Sequence, residues 1–289
     1  MPAAGVGLTG QEEILSYEEI LRFTSAAAAA GIRHVRVTGG EPLVRRGLDA
    51  LIAGLASIPG IADVALTTNG SLLAGEAGRL KAAGLNRVNI SIDSLDPRRF
   101  AAITRGGSLD KVMAGLEAAL AAGLHPVKVN AVLLEGIEAD LSRFVTLAWE
   151  RPVHVRFIEQ MPSKGSGGLE GRFVSRDRLL PLLERFGELH PDAPPAGAGP
   201  ARYFRYDGAA GSIGFISPVS EHFCFSCNRL RLTADGRLLG CLFSRRETRV
   251  RPYLAGGDVE GLIAATIAGK SYDGLPARAG GRLMSRIGG

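Results

Sequence analysis

Three cysteines are the residues of this chain best suited to chemistry. They are the chain's full complement of cysteine and follow one another as C-x2-C-x13-C at Cys224, Cys227 and Cys241. Thiolates bind thiophilic metals, and a C-x2-C pair places two sulfurs on one tight turn. Apolar and polar residues alternate on both sides of Asp235–Gly236, which predicts a β-hairpin that returns Cys241 to the neighbourhood of Cys227. The spacing therefore predicts a three-thiolate metal site.

The spacing alone leaves two kinds of site open. Zinc takes four ligands, and His222, two residues before Cys224, could complete a Cys3His site. The alternative is a four-iron cluster held by three cysteines, whose fourth iron stays open to bind a substrate atom as a Lewis acid. Arg229 and Arg231 share one face of the strand after the cysteine turn, where they could hold an anion beside the metal. A solvent-exposed basic strand edge is the other interpretation of these two arginines.

Bulk composition narrows the class of protein. At 289 residues, 46% of them hydrophobic and 39 of them glycine, the chain fits one large α/β barrel or two smaller domains. The net charge of +5 suits an anionic ligand, but with 6% aromatic residues and no basic tract interleaved with aromatics we expect no nucleic-acid binding. The first ten residues lack the pattern of a signal peptide, and no run approaches the roughly 18 apolar residues of a membrane helix. We therefore expect a cytoplasmic protein without a membrane partner, whose cysteines bind metal rather than form disulfides.

Helical and strand patterns alternate from residue 17 to about residue 160, starting with a helix whose N-cap is Ser16. Five short β-rich runs stand out, namely "RHVRVT", "DVALTT", "RVNISID", "HPVKVNAVLL" and "PVHVRFIE". Helical segments lie between and after them, near residues 47–58, 75–83, 109–122 and 139–149. Such regular alternation is typical of parallel βα repeats.

The faces of these strands distinguish a barrel from a doubly wound sheet. Central strands of a doubly wound sheet are apolar on both faces. Here several strands carry polar residues on one face and apolar residues on the other, which favours a barrel with a polar interior. That interior would contain Arg36, Lys128 and Arg156. Cations on a buried face need compensation, so we expect an anionic ligand there unless these residues reach solvent at the strand ends.

The pattern changes after Met161. A loop, "PSKGSGGLEG", and a linker, "PDAPPAGAGPA", have little capacity for regular structure, and a short helix, "SRDRLLPLLERFG", is predicted between them. We place a boundary near residue 160. Residues 1–160 form the partial barrel, and residues 161–289 form a C-terminal region that carries the cysteines.

Motifs along the whole chain resemble one enzyme family. In chain order they are "RVTGGEPLVRRGLDAL", "LTTNG", "AAGLNRVNISIDSLD", "VKVNAVLLEGI", "VRFIEQMP", "GFISPVSEHFCFSCNRLRLTADGRLLGCLF" and "SRIGG". Together they resemble the GTP 3′,8-cyclases of molybdenum-cofactor biosynthesis, which are radical S-adenosylmethionine (SAM) enzymes. The resemblance implies an incomplete (β/α)6 TIM-like barrel closed by a C-terminal part. It also implies that Cys224, Cys227 and Cys241 hold an auxiliary [4Fe–4S] cluster whose open iron contacts the guanine of GTP, which makes His222 a bystander.

The resemblance assigns further residues position by position. For SAM the matching residues are Gly39, Gly40, Glu41, Ser91 and Met161. For GTP they are Arg36, Thr67, Lys128, Arg229, Arg231 and the terminal pair Gly288 and Gly289, which resembles a double-glycine end inserted into the active site. Arg156 joins the GTP candidates because it also faces the inferred cavity.

One family feature is missing from the chain as written. In the family, a C-x3-C-x2-C loop that holds the SAM-cleaving cluster is followed directly by Met-Pro, and this chain begins with Met1–Pro2. We therefore expect the loop, and with it the first barrel strand, to lie ahead of Met1. Without them, we expect that the chain cannot generate the 5′-deoxyadenosyl radical. A start assigned at an internal methionine is the simpler explanation, because the later motifs are all present.

The resemblance implies a lyase that converts GTP to (8S)-3′,8-cyclo-7,8-dihydroguanosine 5′-triphosphate, an early step of molybdenum cofactor (molybdopterin) biosynthesis. A radical made from SAM would remove a ribose hydrogen, and the resulting carbon radical would attack C8 of guanine. The implied partners are an electron donor, a cyclic pyranopterin monophosphate synthase downstream, and a second copy of the chain in a homodimer. Two alternatives remain open, a non-catalytic GTP-binding paralogue and a zinc-stabilised binding module.

Overall fold

The computed structural model of the protein describes residues 10–161, 173–197, 199–242, 244 and 246–270. These residues form two compact units. The first unit comprises residues 10–64 and 223–270, and the second comprises residues 65–161 and 173–222. This division differs from a single cut at residue 160, because the cysteine-bearing segment joins the same unit as the beginning of the described chain.

Helices and strands alternate in the order expected for βα repeats. The α-helices are α1 (Tyr17–Ala29), α2 (Leu48–Ser57), α3 (Ala77–Ala82), α4 (Pro97–Thr104), α5 (Leu109–Ala121), α6 (Leu141–Glu150), α7 (Arg176–Leu183), α8 (Arg251–Gly256) and α9 (Val259–Ala268). The strands are β1 (His34–Val37), β2 (Asp63–Thr68), β3 (Arg87–Ser91), β4 (Val127–Leu133), β5 (Val153–Glu159), β6 (Leu189–Asp192), β7 (Arg202–Tyr206), β8 (Ser212–Ile216), β9 (Arg231–Leu232), β10 (Arg237–Leu239) and β11 (Thr248–Arg249).

The second unit is built on a mostly parallel sheet. Its strands lie in the order β2–β3–β4–β5–β8–β7–β6; the first five are mutually parallel, and β7 and β6 are antiparallel to their neighbours. Short β-branched and apolar runs form the strands, and the amphipathic helices between them bury their apolar faces. This sheet confirms the α/β class predicted for a partial barrel. It also continues past residue 160 into β8, β7 and β6.

The first unit buries its own apolar core. Helix α1 begins with a capping box, in which the Ser16 hydroxyl accepts from Glu19 N at 3.2 Å and the Glu19 carboxylate accepts from Ser16 N at 2.8 Å. Strands β11, β10 and β9 form a separate antiparallel sheet. The predicted hairpin is thus confirmed, and its strand β10 contributes to a core that it shares with α1, α8 and α9. The buried members of this core are Leu15, Phe23, Ala27, Leu238, Val250, Leu254, Leu262 and Ile263.

The described helices are all too short or too polar to cross a bilayer.

Candidate functional site

Backbone register places polar side chains of the second unit in two rows across the sheet. In one row Thr67 lies opposite Asn89, Asn89 opposite Lys128, and Lys128 opposite His154. In the next row Ser91 lies opposite Asn130, and Asn130 opposite Arg156. Alternation along each strand puts such residues on one face. The polar face predicted from the sequence is therefore formed by neighbouring strands.

Arg156 is a buried cation of this face, with 4% of its surface exposed. Its Nε donates to Asn130 Oδ1 at 2.8 Å, and its Nη2 donates to Asn89 Oδ1 at 2.7 Å. Asn89 in turn donates to Thr67 Oγ1 at 3.0 Å. Burial lowers the pKa of Arg156, whereas a hydrogen bond with Tyr203 opposes that shift. The two amides therefore orient the guanidinium while leaving its charge available to an anion.

Lys128 is equally enclosed, but its ammonium contacts the linker. Nζ donates to the carbonyl oxygens of Ala196 at 2.7 Å and Pro195 at 3.4 Å. The predicted irregular linker therefore has a structural role at one of the predicted GTP ligands. Carbonyl oxygens satisfy the hydrogen-bonding capacity of an ammonium without neutralising it.

His154 lies beside Lys128 and bonds Ser212 Oγ through Nδ1 at 2.7 Å. Burial, reinforced by the charges of Lys128, Arg205 and Arg156 against that of Asp192, lowers the pKa of His154 to about 4. The imidazole is therefore neutral at physiological pH. Burial is the main cause of the depressed pKa, and the neighbouring cations add to it.

The predicted SAM residues fall in both units. Gly39 and Gly40 follow β1 in the first unit, and no described atom lies within 4 Å of a Cβ built on either glycine. This loop is therefore open enough for a ligand to approach its backbone. The Glu41 carboxylate accepts from Leu43 N at 3.1 Å and caps the turn that follows. In the second unit, Ser91 is exposed at the end of β3 and Met161 is half-buried just after β5.

Arg36 and the terminal glycines complete the list of predicted GTP ligands outside the sheet face. Arg36 is exposed on β1, in the first unit. Gly288 and Gly289 lie outside the described residues.

The cysteine segment belongs to the first unit. Cys224 and Cys227 lie on a single 3-10 turn closed by Cys227 N donating to Cys224 O at 3.1 Å, and Cys241 follows β10. None of these three cysteines forms a disulfide, and all three are half-buried. Leu239 pairs with Arg231 in the hairpin, so the chain before Cys241 runs beside the chain after Cys227, as predicted.

Two arginines give this segment a positive field. Although burial alone would raise it, the hydrogen bonds and charge of Arg229, together with Lys270, hold the pKa of the Cys227 thiol below its usual range. Burial lowers the pKa of Arg231 to about 10, and Arg229 adds to this effect, whereas Cys227 and Cys241 oppose it. Arg231 therefore lies within electrostatic reach of two thiols and of a second cation. An anion bound here would relieve the repulsion between the two arginines.

By their chemistry, three thiols with cations nearby are a suitable donor set for a thiophilic metal or an iron–sulfur cluster. In a tetrahedral zinc site the Zn–S bonds are about 2.3 Å long, so two ligand sulfurs lie about 3.8 Å apart. Among the described side chains, no group of three or more His, Cys, Asp or Glu is arranged to hold a metal ion. His222, the alternative fourth ligand, bonds Pro218 O through Nδ1 at 2.8 Å. The cysteine ligand set stays a prediction.

Sequence reasoning missed three kinds of contributor. Asn89 and Asn130 occupy polar positions of the strand alternation, so their orientation of Arg156 could have been anticipated. Glu159 is fully buried at the end of β5 and accepts from Val219 N at 3.1 Å and from Ser220 N at 2.9 Å, four residues before Cys224. Lys270 contacts the cysteine turn through tertiary structure alone, and no local pattern marks it.

Comparisons with known proteins agree along the chain. Residues 4–146 match the family model of the Radical SAM superfamily, and residues 153–273 match that of Molybdenum Cofactor Synthesis C. The chain is 47% identical to a GTP 3′,8-cyclase of Heliobacterium modesticaldum and 46% identical to one of Pelotomaculum thermopropionicum. Each alignment covers 100% of this chain and 92% of the relative. A GTP 3′,8-cyclase of Desulforamulus reducens is 43% identical with the same coverage.

Proposed function

Because this chain belongs to the GTP 3′,8-cyclase family of radical SAM enzymes, we propose that it acts as a lyase that converts GTP to (8S)-3′,8-cyclo-7,8-dihydroguanosine 5′-triphosphate. The reaction is an early step of molybdenum cofactor biosynthesis. The observation that carries the proposal is identity of 43–47% over the whole chain with relatives of that name. Cleavage of SAM at a [4Fe–4S] cluster supplies the radical chemistry.

The residues of the sheet face would bind the triphosphate of GTP. Arg156, oriented by Asn89 and Asn130, presents a guanidinium that matches phosphate oxygens in geometry and charge. Lys128 adds a second buried cation on the neighbouring strand. Holding the triphosphate fixes the position of the ribose, and such positioning lowers the entropic part of the barrier to forming the bond between C3′ and C8.

The other proposed contacts are distributed over both units. The open loop at Gly39 and Gly40 suits the amino-acid end of SAM, with Glu41, Ser91 and Met161 as its further proposed contacts. Cys224, Cys227 and Cys241 would hold an auxiliary [4Fe–4S] cluster with one open iron for the guanine. Arg229 and Arg231 would hold GTP beside it, since their mutual repulsion favours an anion. Arg36, Thr67, Gly288 and Gly289 complete the proposed GTP contacts.

The proposed surroundings follow from this chemistry. Cleaving SAM reductively requires an electron donor, and the cyclised nucleotide requires a downstream synthase that forms cyclic pyranopterin monophosphate. Cysteines that form no disulfide suit a reducing cytoplasm. A homodimer is proposed from family membership alone.

Deuterated GTP tests the reaction. The reconstituted protein is incubated anaerobically with SAM, a reductant and GTP labelled with deuterium at ribose C3′. The 289-residue chain is assayed beside the same chain extended by the residues encoded in frame ahead of Met1. We expect the extended chain to transfer deuterium into 5′-deoxyadenosine and to form a cyclised isomer of GTP. Deuterium retained in GTP while 5′-deoxyadenosine accumulates would overturn the proposed reaction.

GTP binding tests the sheet face separately. Losing a charged hydrogen bond to phosphate costs about 1.5–3 kcal/mol, so Arg156→Gln should weaken GTP binding to the 289-residue chain roughly tenfold to hundredfold. Arg178→Gln is the matched control. Arg178 is an exposed residue of α7 that pairs with Glu138 and does not belong to the proposed GTP site. Equilibrium dialysis with radiolabelled GTP measures both variants. Equal affinities would remove Arg156 from the binding site.

A further inference from the structure

Lys270 connects the end of the last described helix to the cysteine turn. It follows α9 by two residues, and its Nζ donates to Cys227 O at 2.6 Å and to Arg229 O at 3.1 Å. The same nitrogen lies 3.9 Å from Cys227 Sγ. One ammonium therefore holds two carbonyls of the chain that leaves the turn and places its charge beside a thiol.

The stem of Lys270 reaches the other cysteine segment. A Cβ built on Gly240 would lie 3.1 Å from Lys270 Cγ and 3.0 Å from Thr266 O. The lysine stem and the last turn of α9 thus pack on the backbone of the residue just before Cys241. Lys270 touches both segments that carry the predicted ligands.

Ordinary helix capping does not account for these contacts. A lysine near a helix C-terminus commonly stabilises the carbonyl groups of its own helix. The acceptors of Lys270 are instead Cys227 and Arg229, more than 40 residues earlier in the chain. The bonds therefore serve the geometry of the turn.

We propose that Lys270 is a positioning residue of the three-cysteine site, which orders the turn for cluster uptake and favours reduction of the cluster. This inference rests on the proposed function, since it assumes that the three thiolates hold an iron–sulfur cluster. Three thiolates make such a cluster anionic, and reduction adds one more negative charge. A fixed cation close to a ligand sulfur stabilises the reduced state more than the oxidised state.

Variants of Lys270 separate charge from packing. Lys270→Met keeps the stem against Gly240 and removes the ammonium, whereas Lys270→Arg keeps a cation. Lys111→Met is the matched control, because Lys111 is exposed on α5 in the second unit. Each 289-residue chain is reconstituted anaerobically with iron and sulfide. Its reduction midpoint is then titrated by electron paramagnetic resonance without SAM or GTP, and loss of cluster to a chelator is timed by absorbance near 400 nm.

We expect Lys270→Met to lower the equilibrium constant for reduction about tenfold, which is 59 mV for a one-electron couple, and to lose its cluster at least threefold faster. Lys270→Arg should stay within about twofold of the wild type, because it retains the charge. If Lys270→Met does not fold, Lys270→Gln takes its place. It can still donate to the carbonyls but lacks the charge.

Two failures have different meanings. A wild-type chain that takes up no iron–sulfur cluster overturns the proposed cofactor and the role of Lys270 together. A wild-type chain that holds the cluster, with the same midpoint and the same rate of loss in the uncharged variant, overturns the role of Lys270 alone.

Discussion

At the scale of single residues, Arg156 shows how a buried cation is prepared for a ligand. Asparagine oxygens at 2.8 Å and 2.7 Å fix the orientation of its guanidinium. A carboxylate in their place would have fixed the orientation equally well, but it would also have cancelled the charge. Neutral acceptors orient the guanidinium without neutralising its charge, which suits a residue that binds an anion.

The burial of His154 beside several cations has a measurable effect on stability. Its pKa is about 4 in the folded protein against an ordinary value of 6.5. Between pH 6.5 and 4, His154 is therefore protonated in the unfolded chain but neutral in the folded chain. The free energy of unfolding falls as the pH falls through this range. The free energy of unfolding falls by at most about 1.4 kcal/mol per pH unit. Because His154 has partial solvent contact, we expect a total loss of about 2 kcal/mol. We expect His154→Gln to lack this loss when urea denaturation is measured between pH 4 and 7.

Ser212→Ala is the control for this measurement. It removes the hydrogen bond at 2.7 Å but keeps the imidazole, its burial and the neighbouring cations. Its stability should therefore keep the wild-type dependence on pH. Parallel profiles for wild type and His154→Gln would show that the pKa of His154 is not depressed in the folded protein.

At the scale of elements, Gly240 couples α9 to the cysteine hairpin. A Cβ there would meet Thr266 O at 3.0 Å, and a backbone oxygen at the end of a helix cannot move far without shifting that helix. We expect Gly240→Ala to lower the free energy of unfolding by about 1–3 kcal/mol, as small-to-large changes in packed sites do. Urea denaturation of the metal-free chain measures this change.

Gly256→Ala provides the comparison within the same unit. Gly256 ends α8, and among the described residues nothing lies within 4 Å of a Cβ built on it. The substitution should leave stability within about 0.5 kcal/mol or raise it slightly, because alanine restricts the unfolded chain. A similar loss for both variants would mean that Gly240 is not a packing contact.

Elements with a strong local period were predicted well from the sequence. Strands β1 to β5 and the helices α1, α2, α3, α5, α6 and α7 lie where alternation and helical periodicity placed them. Helix α4 was missed because its eight residues contain one buried side chain, Phe100. Strands β6 to β8 were missed because Pro191 lies within β6 and a Pro/Gly-rich linker joins it to β7. Sheet pairing at a distance, rather than local propensity, makes these segments strands.

The same distinction applies to the candidate site. The polar strand face could be predicted because alternation is a local property. The acceptors of Lys128 lie about 67 residues away from it in the chain, and the donors to Glu159 lie about 60 residues away. Such contacts depend on how loops return to the sheet, which periodicity does not encode.

At the scale of the whole molecule, the residues assigned by family membership are distributed over both units. The sheet face of the second unit carries buried cations, whereas the first unit carries the thiols, the open glycine loop and two mutually repelling arginines. Under the proposed assignments, each unit therefore contributes different groups to the reaction. The number of thiols limits the number of clusters, because the 289 residues contain three cysteines and all three belong to one predicted ligand set.

This cysteine count leads to a stoichiometric prediction. Anaerobic reconstitution of the 289-residue chain should yield one [4Fe–4S] cluster, with about four iron and four sulfide per chain and absorbance near 400 nm. The triple variant of Cys224, Cys227 and Cys241 to serine should yield none. We expect the 289-residue chain to release no 5′-deoxyadenosine from SAM above background, because all three of its cysteines are assigned to the proposed auxiliary cluster. About one zinc per chain without the chromophore would refute the cluster. Reductive SAM cleavage by this chain would show instead that the cluster at these three cysteines is itself the radical source.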